Sequence, residues 1–167
     1  MGATEPALRV LVVDDNEDVA LGTSLLLDML GCDCEVATSG EIALEKALAC
    51  DHDLILIDLA MPRIDGYELA NRFRLMPALV DLPMIAVSGY VDAAHRERAW
   101  EAGFDGFVSK PFTAGELESV CHRARAVIAR TKTAIEQAKA AARAAKEKSR
   151  RSRIELEEFW LNRRVSE

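Results

Sequence analysis

Three stretches of this chain are apolar runs that end abruptly in a polar residue. Arg9 to Val13 runs into Asp14 and Asp15, Leu54 to Ile57 into Asp58, and Pro83 to Val87 into Ser88. A continuous apolar run of this length, without alternation, predicts a strand buried on both faces, as in a parallel sheet. Two weaker strand patterns join them, Cys34–Ala37 and Asp105–Lys110. Helical patterns lie between. Asn16 or a neighbour caps the first, whose apolar face is read as Val19, Leu25, Leu26, Leu27, Met29 and Leu30, with Gly31 as its stop. Ser39 caps a second helix over Glu41–Ala49, with Ile42, Leu44, Ala47 and Leu48 inward. Asp65, with Glu68 three residues on, opens a third that runs to about Met76. Asp92 opens a fourth through Trp100 and Ala102 to Gly103.

Strand followed by helix, repeated through the chain, predicts an α/β fold. Right-handed crossovers build a doubly wound parallel sheet with helices on both faces. The flavodoxin-like strand order 2-1-3-4-5 is the one such units adopt, and it makes strands one and three neighbours at the switch point. Asp14, Asp15 and Asp58 then converge at one sheet edge, with Ser88 and Lys110 ending the adjacent strands.

Composition leaves this picture intact and excludes others. The chain has 167 residues, half of them apolar, enough for one domain and an appendage. No run of about 18 apolar residues predicts a membrane span, and Met1–Pro6 has no basic segment of a secretory signal. Cys32, Cys34, Cys50 and Cys121 form no CxxC pair and have no histidine at zinc-ligand spacing. They read as reduced thiols of a cytoplasmic protein. The net charge of −7 conceals a division. Met1–Cys121 holds 22 acids and 8 Lys or Arg, whereas His122–Glu167 holds 13 Lys or Arg and 6 acids.

Three carboxylates in one cleft repel each other, and a hard divalent cation relieves that repulsion. An all-oxygen donor set selects Mg2+. Such a site can orient an Asp oxygen as a nucleophile toward phosphorus, with Lys110 and Ser88 placed to stabilise phosphoryl oxygens.

In these motifs the chain, from about Arg9 to Ile128, resembles the receiver domain of two-component response regulators, the CheY-like family. The resemblance rests on Asp14-Asp15, Asp58, Met61-Pro62, Asp65-Gly66, Ser88-Gly89 and Lys110-Pro111, all in order. It implies that Asp58 is the phosphoacceptor and that Asp15, Asp58 and the backbone carbonyl of Ala60 ligate magnesium, with Asp14 acting through water. It further implies that Ser88 is a switch hydroxyl, that Phe107 is the switch aromatic, and that the donor is a histidine kinase or histidine phosphotransfer protein. The chemistry implied is self-catalysed phosphotransfer and autodephosphorylation rather than enzymatic turnover. Ala60 and Tyr90 flank the path of the hydrolysing water in that family. An apolar Ala60 and a bulky Tyr90 predict slow autodephosphorylation.

The receiver-like domain is read as residues 7–128 and a helical extension as 129–167. Thr113 to Glu116 has capping-box spacing, and no Gly after Gly115 and no Pro after Pro111 stops the helix it starts. Seven of the twelve residues from Ala134 to Ala145 are Ala. One helix from about Glu116 to Arg164 is predicted. Its heptad a positions are Cys121, Ile128, Ile135, Ala142, Ser149 and Leu156, and its d positions include Leu117, Ala124, Thr131, Ala138, Ala145, Ser152 and Phe159. This seam, with the apolar end at Phe159, Trp160 and Leu161, predicts a coiled coil or helix bundle, formed with a second copy or with a partner. The competing reading is a DNA-binding regulator that uses the basic helix 139–153 on phosphates. It ranks below protein contact because no helix-turn-helix or winged domain is discernible.

Overall fold

The computed structural model describes residues 7–90 and 92–164, with side chains as far as 157. Strands β1 (Leu8–Val13), β2 (Cys32–Ala37), β3 (Leu54–Asp58), β4 (Met84–Ser88) and β5 (Gly106–Ser109) alternate with helices α1 (Glu17–Met29), α2 (Gly40–Ala49), α3 (Gly66–Leu75), α4 (Ala93–Glu101) and α5 (Ala114–Arg164). The sheet order is β2-β1-β3-β4-β5, all parallel, as the strand–helix alternation predicts. The chain divides into two compact units, Met1–Arg125 and Ala126–Glu167. Among the described residues, no helix is long and apolar enough to cross a membrane.

The central strands are buried, β3 and β4 at every residue and β1 at all but Arg9. Successive side chains point to opposite faces. Leu11, Val13, Ile55 and Ile57 therefore share one face, where they pack with Ala43 and Ala47 of α2, Leu69 and Phe73 of α3, and Ala99 of α4. Val10, Val12, Leu54 and Leu56 alternate onto the other. There α5 begins, burying Leu117, Val120, Cys121 and Ala124. Cys121 Sγ lies 3.7 Å from Cys32 Sγ of β2. All four cysteines are free thiols. Burial pushes the Cys121 thiol up to about 12 and raises Cys34 as well, so both stay protonated and unreactive at neutral pH.

Helix starts follow their capping residues. Asn16 accepts from the N–H groups of Asp18 and Val19, Ser39 from Ile42, Asp65 from Glu68 and Asp92 from His95. Each such cap is worth about 1 kcal/mol. At α5 the Thr113 N–H donates to Glu116 Oε2 and the Glu116 N–H to Thr113 Oγ1, which is the reciprocal box read from the sequence.

The buried faces of α1 and α2 differ from the sequence reading. The residues of α1 that turn inward are Ala20, Thr23, Ser24 and Leu27, whereas Leu25 is 55% and Met29 83% exposed. In α2 the inward residues are Gly40, Ala43 and Ala47. Leu44 packs at the core margin, and Ile42 and Leu48 are exposed. Small residues let these helices approach the sheet closely. Thr23 and Ser24 tolerate burial because their hydroxyls donate to the carbonyls of Val19 and Leu21.

His52, in the loop before β3, has a side chain only 2% exposed. Neither ring nitrogen has a hydrogen-bond partner, and Glu35 Oε2 stands 4.0 Å away. Burial holds its pKa below the ordinary value, Glu35 opposes the shift, and Arg9 adds to it. The unfolded chain therefore takes up a proton near pH 6.5 that the folded chain refuses. Folded stability should fall as pH drops below about 6.5, by at most about 1.4 kcal/mol per pH unit from this group. Urea denaturation of wild type and His52→Gln between about pH 7.5 and 5 checks it. As pH falls the variant should gain in stability relative to wild type, and a constant difference would refute the assignment.

Candidate functional site

Strand register brings the three polar strand ends to one level. Val13 pairs with Ile57, Asp58 with Val87, and Ser88 with Ser109. Asp14 and Asp15 follow Val13 directly, so they stand beside Asp58 across the switch point between β1 and β3. One carboxylate oxygen from each of Asp14, Asp15 and Asp58 lies within 4.8 Å of the others. Asp14 and Asp58 are buried, and Asp15 is exposed.

Lys110, just past β5, enters the same cleft. Its Nζ donates to Asp14 Oδ2 at 2.6 Å and to Asp58 Oδ1 at 2.7 Å. The remaining carboxylate oxygens have backbone donors, the Asn16 N–H on Asp14 Oδ1 and the Ala60 N–H on Asp58 Oδ2, both at 3.0 Å. The Lys110 backbone N–H donates to the Ser88 carbonyl at 2.7 Å, and the Lys110–Pro111 peptide is cis.

The electrostatics are lopsided. Burial holds the Asp58 carboxyl above the usual carboxylate range; Lys110 offsets part of this and the Asp14 charge adds to it. Burial also opposes the Lys110 charge, but its bonds to Asp14 and Asp58 outweigh it and raise the pKa. One ammonium between two buried carboxylates leaves a surplus of negative charge, with the exposed Asp15 at its open side. An all-oxygen donor set with unmet negative charge fits a hard divalent cation.

The other residues singled out in the sequence take these places. Ser88 closes β4, 2% exposed, with its Oγ accepting the Tyr90 N–H at 3.0 Å. Phe107 is half-buried at the core margin with the Arg96 guanidinium 5.3 Å from its ring centroid. Ala60 is exposed and tied to Asp58 through its N–H. Tyr90 is 63% exposed, its ring stacked on His95 at 5.3 Å. The apolar end at Phe159, Trp160 and Leu161 lies outside the described side chains.

In the sequence Gly66 stands out only as part of the Asp65-Gly66 motif, and its role in the fold is steric. A Cβ at Gly66 would collide with the Asp58 carbonyl oxygen and come within 2.8 Å of Leu59 Cα. The Gly66 N–H donates to the Leu59 carbonyl at 3.2 Å. The start of α3 is thereby packed on the backbone of the acceptor strand. The pair Asp65-Gly66 is the only local signal for this contact.

Comparison with known proteins points the same way. The family model "Response regulator receiver domain" matches residues 10–122. The response regulator MprA of Mycobacterium ulcerans is 33% identical over 79% of this chain and 55% of its own length. The DNA-binding dual master transcriptional regulator RpaA of Synechocystis is 28% identical over 78% of this chain and 53% of its own. This chain thus spans about half the length of these relatives. The receiver domain of a sensor histidine kinase from Pseudomonas aeruginosa, solved with a magnesium ion coordinated in its active-site cleft, is 27% identical. It superposes with a TM-score of 0.66 over 70% of this chain and 96% of its own. With its sheet order, its acidic cleft and this match across most of the first unit, the chain belongs to the response regulator receiver domain family of two-component signalling.

Proposed function

We propose that this chain is a cytoplasmic phosphorelay response regulator that accepts a phosphoryl group on Asp58 from a histidine kinase or histidine phosphotransfer protein. The observation that supports it best is Lys110 bridging Asp14 and Asp58 with Asp15 alongside. Asp15, Asp58 and the Ala60 carbonyl would hold magnesium directly and Asp14 through water. Bound there, the ion supplies charge compensation and an oxygen site for the incoming phosphoryl group.

A carboxylate oxygen of Asp58 forms the new O–P bond as the donor's bond to phosphorus breaks, and the leaving group departs with its electron pair. Lys110 favours the ionised form of Asp58 against its burial and stands ready to pair with a phosphoryl oxygen. The Ser88 hydroxyl turns to another such oxygen when it exchanges the Tyr90 N–H for it, and Phe107 follows inward. The signal then leaves by protein contact through the tail.

Incubation of the full chain with a small acyl phosphate and magnesium should add one phosphoryl group per chain by intact mass. It should add none after the metal is chelated. Incorporation that persists without the metal, or that maps away from Asp58, would sink the reading.

Ala60 offers no polar atom to orient a hydrolysing water, and Tyr90 is bulky. Replacing Ala60 by Asn and Tyr90 by Ser together should shorten the aspartyl-phosphate half-life about tenfold, equivalent to ~1.4 kcal/mol of barrier. An unchanged half-life contradicts the shielding role.

A further inference from the structure

The second unit carries a cationic stripe beside its apolar seam. Counting heptads from Ile128 as an a position, Lys132, Lys139, Lys146 and Arg153 all fall at e, and Arg143 and Arg150 at the neighbouring b. All six are exposed helical residues. They form one line of about 31 Å at ~1.5 Å per residue. Among the described residues, the stripe has one ion pair within the chain, Lys139 to Glu136 at 3.0 Å. The seam itself is exposed as well, Ile135 at 47% and Leu156 at 58%.

This pattern opposes pairing with a second copy. In an antiparallel pair the e column faces the e column, which sets Lys and Arg against Lys and Arg. In a parallel pair e faces g, and the g positions are Val127, Ala134, Ala141, Lys148 and Glu155. The Lys148 position then meets Arg153 of the other copy, and the remaining cations gain nothing. The seam is also mismatched with itself. Ala138, Ala142, Ala145, Ser149 and Ser152 occupy its middle, so two copies would bury little apolar area there.

We infer that the tail docks a helix of another protein, one with large apolar residues along its seam and acids in its flanking positions. Large side chains fill the space left by the Ala and Ser steps, and the acids meet the e and b cations. Flanking charges of this kind set partner choice in coiled coils. The inference deepens the protein-contact output proposed above by naming the chemistry of the partner.

The probes are two synthetic helical peptides with the same Leu and Ile seam, one flanked by Glu and one by Lys, and a labelled DNA duplex. Binding to the full chain is read by fluorescence anisotropy at physiological salt, without any phosphoryl donor. The Glu-flanked peptide should bind at least tenfold tighter than the Lys-flanked one and tighter than the duplex. The combined variant Lys132→Glu, Lys139→Glu, Lys146→Glu and Arg153→Glu should reverse the peptide preference, with helicity by circular dichroism unchanged. Sedimentation of the chain alone should show a monomer. Equal binding of the two peptides, tighter binding of the duplex, or a stable dimer of the chain alone overturns the inference. Because no phosphoryl donor is present, such a failure leaves the Asp58 reading standing, and failed incorporation at Asp58 leaves the docking result standing.

Discussion

Replacing Asp58 by Asn is expected to abolish phosphoryl incorporation and, at the same time, to stabilise the metal-free protein. The loss of incorporation follows from chemistry, since an amide cannot replace the carboxylate nucleophile. The gain in stability follows from the cleft. The unfolded Asp58 carboxyl loses its proton near pH 3.9, while burial keeps the folded one protonated to higher pH. Above that window the ionised form costs folding free energy, so at neutral pH its removal helps. Lys110 retains its bond to Asp14 in the variant. Magnesium should reverse the ranking. A ligand at a hundredfold excess over its Kd stabilises by about 2.7 kcal/mol, and Asp58→Asn should lose much of that gain. Thermal melts of both proteins with magnesium and with chelator check it. Equal magnesium shifts in the two would remove Asp58 from the metal site.

Arg74→Ala should produce a large loss of stability for a polar residue outside the cleft. The guanidinium of Arg74 reaches out from α3 to tie down the starts of β4 and β5. Its Nε and Nη2 donate to the Gly103 carbonyl, Nη1 to the carbonyls of Val80 and Leu82, and Nη2 also to Asp105 Oδ2 at 2.8 Å. Asp105 Oδ2 in turn accepts the Met84 N–H. The Arg74 side chain is 21% exposed, so its partners are largely withdrawn from water. Removing it leaves several carbonyls without a donor, and the expected cost is about 3 kcal/mol. Lys cannot reproduce a planar fork with several donors, so Arg74→Lys should recover only a minority of the loss. Urea denaturation measures both, and a loss below about 1 kcal/mol would show that the network adds little.

The contrast between these residues marks how far the chain could be read from its letters. Asp14, Asp15, Asp58 and Ser88 were legible because each closes an apolar run that announces its strand, Lys110 because it closes a weaker strand pattern before Pro111, and parallel topology brings all these ends to one edge. The caps at Asn16, Ser39, Asp65 and Asp92 were legible because a cap satisfies donors two or three residues away. The strand order followed from the flavodoxin-like arrangement expected of five strand–helix units.

Other features depend on neighbours far along the chain. Leucine counts placed Leu27 correctly but otherwise misread the inner face of α1, because Ala20, Thr23 and Ser24 win it by allowing closer approach. Arg74 bonds backbone carbonyls, which every residue possesses, so no pairing signal marks its partners. Gly66 is required by the backbone of Asp58 and Leu59, a contact made only when α3 folds onto β3. His52 is an ordinary polar letter until packing withdraws it from water. By itself the sequence determined the elements, their order and the cluster of acids, because periodicity and capping act over a few residues. Which small residues the helices bury, which carbonyls Arg74 holds and which histidine is stranded were decided by the tertiary structure. Those are matters of steric fit and desolvation between segments distant in sequence.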